Sequence, residues 1–243
     1  MKHKLLRATI CAASAVVLSL GSVRANVIYD NFANQSGYAF SMANGEEIGN
    51  QITIPTGVSW SLTNFSVEYY SPSATLASDV AIDVRFYQND GTPENGFPTP
   101  GTLIFDSGWF NNNGSSLPGN GYQVVTYTSS DFYGSSSAVN MDPGFLFPDS
   151  LSPDNSFTFT VSFQGLDSRD QIDMPVAANT PGISYGDYWL NNGSGWSLMS
   201  TNAADANLTV DFSGQQVPEP ASLTFVAIGG ALLLGIKQLR RKG

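Results

Sequence analysis

The sequence of 243 residues predicts an all-β fold, an antiparallel β-sandwich of jelly-roll kind, with a single transmembrane helix at its C-terminal end. Three observations carry that reading. Apolar side chains recur at every second position in many short stretches, the period of a strand with one buried face. Clusters of Gly, Pro, Asn, Asp and Ser separate these stretches, and none of the stretches has the period of an amphipathic helix. The third observation is one uncharged run, Ala221 to Ile236, which is apolar almost throughout.

The strands follow in order. Val27 to Tyr29 and Glu47 to Ile54 open the set. Val58, Trp60 and Leu62 alternate on one parity and Phe65, Val67 and Tyr69 on the other, a change that places a β-bulge near Thr63-Asn64. Val80, Ile82, Val84 and Phe86 share one face, leaving Asp83 and Arg85 on the other to meet charges across the sheet in a structural role. The turn Asn89-Asp90-Gly91 ends that strand. A loop with Pro93, Pro98 and Pro100 follows, too rich in proline for a sheet interior. Leu103 to Phe105, Gly108 to Phe110 and Tyr122 to Thr128 continue the pattern, with a surface loop from Asn111 to Gly121. Phe157, Phe159, Val161 and Phe163 face one way and Thr158, Thr160 and Ser162 the other, which predicts one buried and one open face. Asp187 to Leu190, Trp196 to Met199, and Leu208, Val210 and Phe212 complete the set. No repeat of fixed period is present, which argues against a propeller or solenoid.

The run from Ala221 to Ile236 spans sixteen residues, or about 24 Å as a helix. Leu239 and the stems of Lys237 and Arg240 extend it toward bilayer thickness. The basic cluster Lys237, Arg240, Arg241 and Lys242 places the C-terminus in the cytoplasm by the positive-inside rule. Before the run, Pro218-Glu219-Pro220 is a stiff, extended element that cannot join a sheet. Val217-Pro218-Glu219-Pro220, the short apolar span and the basic stop together resemble the PEP-CTERM sorting signal of exported proteins from exopolysaccharide-producing Gram-negative bacteria. The resemblance covers the last 27 residues. It implies recognition by an exosortase, a membrane-embedded cysteine transpeptidase that cleaves near the motif. The same tail also closes some ice-binding proteins.

At the other end Lys2, Lys4 and Arg7 form a basic region, Ala8 to Leu20 an apolar one, and Val23-Arg24-Ala25 a cleavage site. These are the parts of a signal peptide, handled by the Sec translocon and cut by signal peptidase between Ala25 and Asn26. Cys11 lies inside the apolar region, the wrong place for a lipidated cysteine. The expected division is therefore a signal peptide at 1–25, a sandwich at 26–212, a linker at 213–216 and a sorting and anchor segment at 217–243. The expected route is an inner-membrane intermediate, then the cell surface or extracellular matrix.

Removing both ends sharpens the composition. Residues 26–216 contain no Cys, His or Lys, which excludes Ser-His-Asp and Cys-His nucleophilic sites, a Schiff-base lysine, the usual zinc ligands and disulfides. Nineteen carboxylates against Arg85 and Arg169 leave a net charge of −17. Such a surface repels nucleic acid and anionic lipid and leaves cations, neutral polysaccharides or basic partners. No cofactor is expected.

Three constellations remain. Carboxylates such as Glu46, Glu47, Glu68 and Asp83 leave glycoside hydrolysis open in principle, though none sits in a distinctive motif. Asp167, Asp170 and Asp173 lie in one loop with Arg169, either as calcium ligands or as an ion-paired loop. Tyr185, Asp187, Tyr188, Trp189 and Trp196 read either as packing or as a glycan-contacting set, since sugar rings stack on aromatics while hydroxyls take hydrogen bonds. Thr158 and Thr160 resemble a fragment of an ice-binding threonine ladder. The expected function is non-enzymatic: an exported structural or adhesive protein, with polysaccharide binding as the alternative.

Overall fold

Alternating strands become two antiparallel sheets in the computed structural model, which describes residues 26–54, 59–111, 117–128, 145–147, 156–177, 187–199 and 207–217. The strands are β1 (Asn26–Asp30), β2 (Gln35–Ser41), β3 (Glu47–Thr53), β4 (Ser59–Ser71), β5 (Ala81–Gln88), β6 (Leu103–Asp106), β7 (Gly121–Thr128), β8 (Phe145–Phe147), β9 (Ser156–Gln164), β10 (Asp173–Ala177), β11 (Tyr188–Asn191), β12 (Trp196–Met199), β13 (Asn207–Leu208) and β14 (Val210–Val217). One sheet runs β12-β11-β3-β9-β5-β6. The other runs β1-β14-β4-β10-β13, with β7 and β8 also paired to β4 and β2 to β10.

The inner faces lock through aromatic rings. Phe65 of β4 stacks on Tyr127 at 4.6 Å and meets Phe86 of the opposite sheet edge-on at 5.2 Å. Phe212 of β14 approaches Phe157 at 5.8 Å and Phe159 at 5.5 Å. All five phenylalanines are fully buried, so truncating any one removes about 3–5 kcal/mol. The expected bulge is present. Ser213 pairs with Asn64 but Gly214 with Leu62, so Thr63 is the extra residue, and it switches the inward parity from Trp60 and Leu62 to Phe65, Val67 and Tyr69. The two expected segments are therefore one strand, β4.

Several expectations are corrected. β2 is polar and mostly exposed, so it lacks the alternation that marks a strand with a buried face. β10 carries Pro175, a residue the strand signals exclude, yet all five of its residues are buried. Its carbonyl accepts both the Thr209 N–H (3.2 Å) and the Thr209 hydroxyl (3.1 Å). Gly108 to Phe110 is reduced to a single bridge between Phe110 and Ile82. The residues 213–216 expected as a linker belong to β14, which stays paired as far as Val217 opposite Ser59. The ladder can run that far because the first residue lacking an N–H is Pro218. Asn26 opens β1, opposite Gly214. Residues 1–25 and 218–243, with Ala25, the Pro218-Glu219-Pro220 element, the expected span and the basic stop, lie outside the described residues. Among the described residues no helix is long and apolar enough to cross a membrane.

The strand formed by β13 and β14 breaks at Thr209, and two buried asparagines bridge the break. Asn31 accepts the Val210 N–H at 2.7 Å and donates to the Leu208 carbonyl at 2.9 Å. Asn50, on the opposite sheet, accepts the Leu208 N–H at 2.8 Å. Asn31→Ala strands one donor and one acceptor where water does not reach, so unfolding stability should fall by about 1–3 kcal/mol or more. Urea denaturation at constant slope measures it; an unchanged midpoint would show that the asparagine does not hold the break.

Candidate functional site

Pairing register decides which side chains share the outer face of the six-stranded sheet. Glu47, Gly49 and Gln51 of β3 stand on it with Thr158, Thr160 and Ser162 of β9 and with Asp83, Arg85 and Tyr87 of β5. Trp189 and Asn191 of β11 and Trp196 and Leu198 of β12 share it, because strand side chains alternate with period two. This face was expected to be open. Instead Thr158 and Thr160 have no exposed surface and Asp83 has 1%, so β9 is buried on both sides.

Burial obliges these polar groups to find partners. Arg85 is the hub: its Nη2 lies 2.6 Å from Asp83, its Nε donates to Asp106 at 3.1 Å and its Nη1 to Glu47 at 3.4 Å. Glu47 also accepts the Tyr87 hydroxyl at 3.0 Å and the Thr160 hydroxyl. Ser107 donates to Asp83 at 3.0 Å and accepts the Val84 N–H at 2.9 Å. Toward the other end of β9, Asn89 accepts the Thr158 hydroxyl at 2.7 Å and donates to Ser156 at 2.6 Å. The expectation that these residues meet charges across the sheet holds for Arg85, which reaches Asp106 and Glu47 on other strands, whereas the charged partner of Asp83 is Arg85 of its own strand.

Two features roof this layer. Tyr87 on β5 and Trp196 on β12 are separated by β9, β3 and β11, which in a flat sheet sets the strands about 19 Å apart. Their rings nevertheless meet edge to face at 5.5 Å, so the face is concave. The loop between β5 and β6 also crosses it. Asn95 and Gly96 both take positive φ, 53° and 89°, as a type I′ hairpin turn requires. Glu94 and Phe97 exchange backbone hydrogen bonds across the turn, and the Glu94 carboxylate accepts the Leu198 N–H at 3.2 Å, on the opposite edge of the sheet. The Asn95-Gly96 dipeptide is a local signal for such a hairpin, passed over in reading this stretch as a proline-rich loop. Gly49 completes the packing: a Cβ there would lie 2.1 Å from the Phe159 carbonyl oxygen.

The aromatic set divides between faces. Trp189 is fully buried on the outer face. Tyr188 points the other way, half-buried, with its ring 4.3 Å from Phe40, and burial first, then Glu46, pushes its phenol up. Asp187 contributes its carbonyl to Asn50, Tyr185 lies outside the described residues, and Trp196 remains half-exposed beside Tyr87. The acidic loop does not converge. Asp167 takes Arg169, Asp170 accepts the Ala77 and Asp167 N–H groups, and Asp173 takes Ser41 and Gln171. Among the described residues no group of three or more acids is placed to hold a metal ion. Of the other candidate acids, Glu46 accepts the Ala43 N–H, and Glu68, on the other sheet, accepts Gln35 at 2.6 Å. The threonines of the supposed ice-binding fragment are sealed under the roof. No family model, curated protein or solved structure matches this chain.

Burial raises the Asp83 carboxyl to about 6, partly offset by Arg85 and reinforced by Asp106 and Glu47. Arg85 loses by burial but gains more from these carboxylates, so its guanidinium is held more firmly protonated. A carboxyl that titrates near 4 unfolded and near 6 folded binds more protons in the folded state between those values. Stability should therefore fall as pH rises from about 4 to about 6 and level off above. Glu68 and Asp211, raised by burial, add slopes of the same sign. Thermal melts across that window should show the decline, and Asp83→Asn should make it shallower; an equal slope in the variant would remove Asp83 from the account.

Proposed function

We propose that this chain is an exported protein of a Gram-negative cell surface or extracellular matrix, delivered by an N-terminal signal peptide and sorted through a PEP-CTERM tail. The observation that carries the reading is the ordered tripartite C-terminus, Val217-Pro218-Glu219-Pro220, then the apolar run, then Lys237, Arg240, Arg241 and Lys242. A second export signal at the opposite end agrees with it. In this reading 221–236 is a single transmembrane helix, held in the inner membrane until an exosortase cuts near the motif. The pairing of Val217 with Ser59 supports a motif that leaves the folded domain without a spacer. A cut downstream of Val217 would leave the last strand whole.

The domain itself is read as a jelly roll with a non-enzymatic, structural or adhesive role. Consecutive strands pass from one sheet to the other at β3–β4, β4–β5 and β9–β10, the habit of that topology. Residues 26–216 offer no thiol, imidazole or amine nucleophile, and the clustered carboxylates Glu47, Asp83 and Asp106 are all bound to Arg85.

Removing residues 218–243 keeps Val217 in its ladder, so the truncated chain should fold and shift from the membrane fraction to the periplasm or medium. Replacing Pro218, Glu219 and Pro220 together by alanine should leave an uncut, heavier precursor in the membrane. Fractionation with gel mobility reads both, and unchanged distribution of the two variants would overturn the assignment.

A further inference from the structure

We infer that the concave outer face of the six-stranded sheet docks a neutral hexopyranose polymer at the corner formed by Tyr87, Trp196, Arg85 and Asp106. The corner combines the three things a sugar ring needs. Tyr87 and Trp196 meet at 74° between ring planes, and both are half-exposed, so the pair is a rigid apolar angle rather than a buried core contact. Beside it Arg85 and Asp106 keep 27% and 20% of their side chains exposed, in contrast to Asp83 at 1%. A donor and an acceptor thus stand together at the surface, an arrangement that vicinal hydroxyls satisfy in pairs.

The geometry is fixed before any ligand arrives. Arg85 is gripped by three carboxylates and Tyr87 is tied to Glu47, so little side-chain entropy is lost on docking. Charge selects the class of polymer. A polyuronate is repelled by a segment of net charge −17. A neutral polysaccharide meets no such obstacle, and its hydroxyls match the paired donor and acceptor. Trp109, three residues beyond Asp106 and 42% exposed, offers another ring along the same edge of the fold. This site deepens the export reading by naming the polymer class an adhesive surface domain would hold.

Affinity electrophoresis of the full-length chain in detergent, through gels of soluble glucan, mannan, galactan or polyuronate, tests it. At least one neutral polymer should retard the protein and the polyuronate should not. Trp196→Ala should weaken retardation about tenfold, a loss of about 1.4 kcal/mol, while Tyr122→Ala, an exposed ring of the other sheet, should leave it unchanged. Should Trp196→Ala fail to fold, Trp196→Leu keeps an apolar cover without a ring face, and full retardation of that variant overturns the proposal. So does retardation by no neutral polymer, or sensitivity to Tyr122→Ala in place of Trp196→Ala. A failure here appears in the gel with purified protein, whereas failure of the export reading appears in cell fractionation.

Discussion

The structure depends on a strand with no open face. β9 presses Phe157, Phe159, Val161 and Phe163 into the aromatic core and holds Thr158, Thr160 and Ser162 beneath a second, polar layer. Hydroxyls and carboxylates in such a place are costly unless every one is paired. That requirement ties β9 to β3 through Glu47 and Thr160, β5 to both through Arg85 and Tyr87, and the turn after β5 to β9 through Asn89. The curvature that brings Tyr87 to Trp196 belongs to the same constraint, since those rings cover the bonds below them.

Arg85 occupies an unusual position in a segment so poor in cations. It is one of two basic groups in residues 26–216, and it sits among three carboxylates that would otherwise repel one another in a low-dielectric layer. The other, Arg169, is exposed and pairs locally with Asp167. One guanidinium is therefore responsible for the charge balance of the whole polar layer. The opposite sheet solves its own difficulty with neutral groups, using Asn31 and Asn50 in place of backbone partners where β13 gives way to β14. Asn50 also crosses between the sheets, so the break in that strand and the spacing of the sandwich are held by the same side chain.

These features bear on function in different ways. In the export reading proposed above, the two ends of the chain bear on destination through short linear patterns. The domain speaks to surface chemistry. Its grip on its own carboxylates leaves the Tyr87 and Trp196 rings, the Arg85 guanidinium and the Asp106 carboxylate among the partly exposed groups on the concave side. β14 stays paired as far as Val217, the residue at which the Val-Pro-Glu-Pro pattern proposed for sorting begins.

Much of the fold was legible in the residues. Period-two alternation marked β4, β5, β7, β9 and β14, and the change of parity at Thr63 revealed the bulge, because local sterics and one-sided burial impose both. β2 and β10 escaped, the first because an exposed edge strand needs no apolar alternation, the second because Pro175 breaks the local rule and is accommodated by Thr209 from a distant part of the chain. The candidate site was only half legible: Asp83 and Arg85 were placed together on one face, and Tyr87 follows two residues on along the same strand, but Glu47, Asp106 and Trp196 come from three other places in the sequence and meet them only through strand order and sheet curvature. The sequence by itself determined the all-β class, the core-facing residues, the charge balance and the terminal patterns, all of which follow from neighbours along the chain. Only the tertiary structure decided that the hydroxyl face of β9 is sealed and that Trp189 is covered while Trp196 is not, because burial of a second face depends on what another segment lays across it.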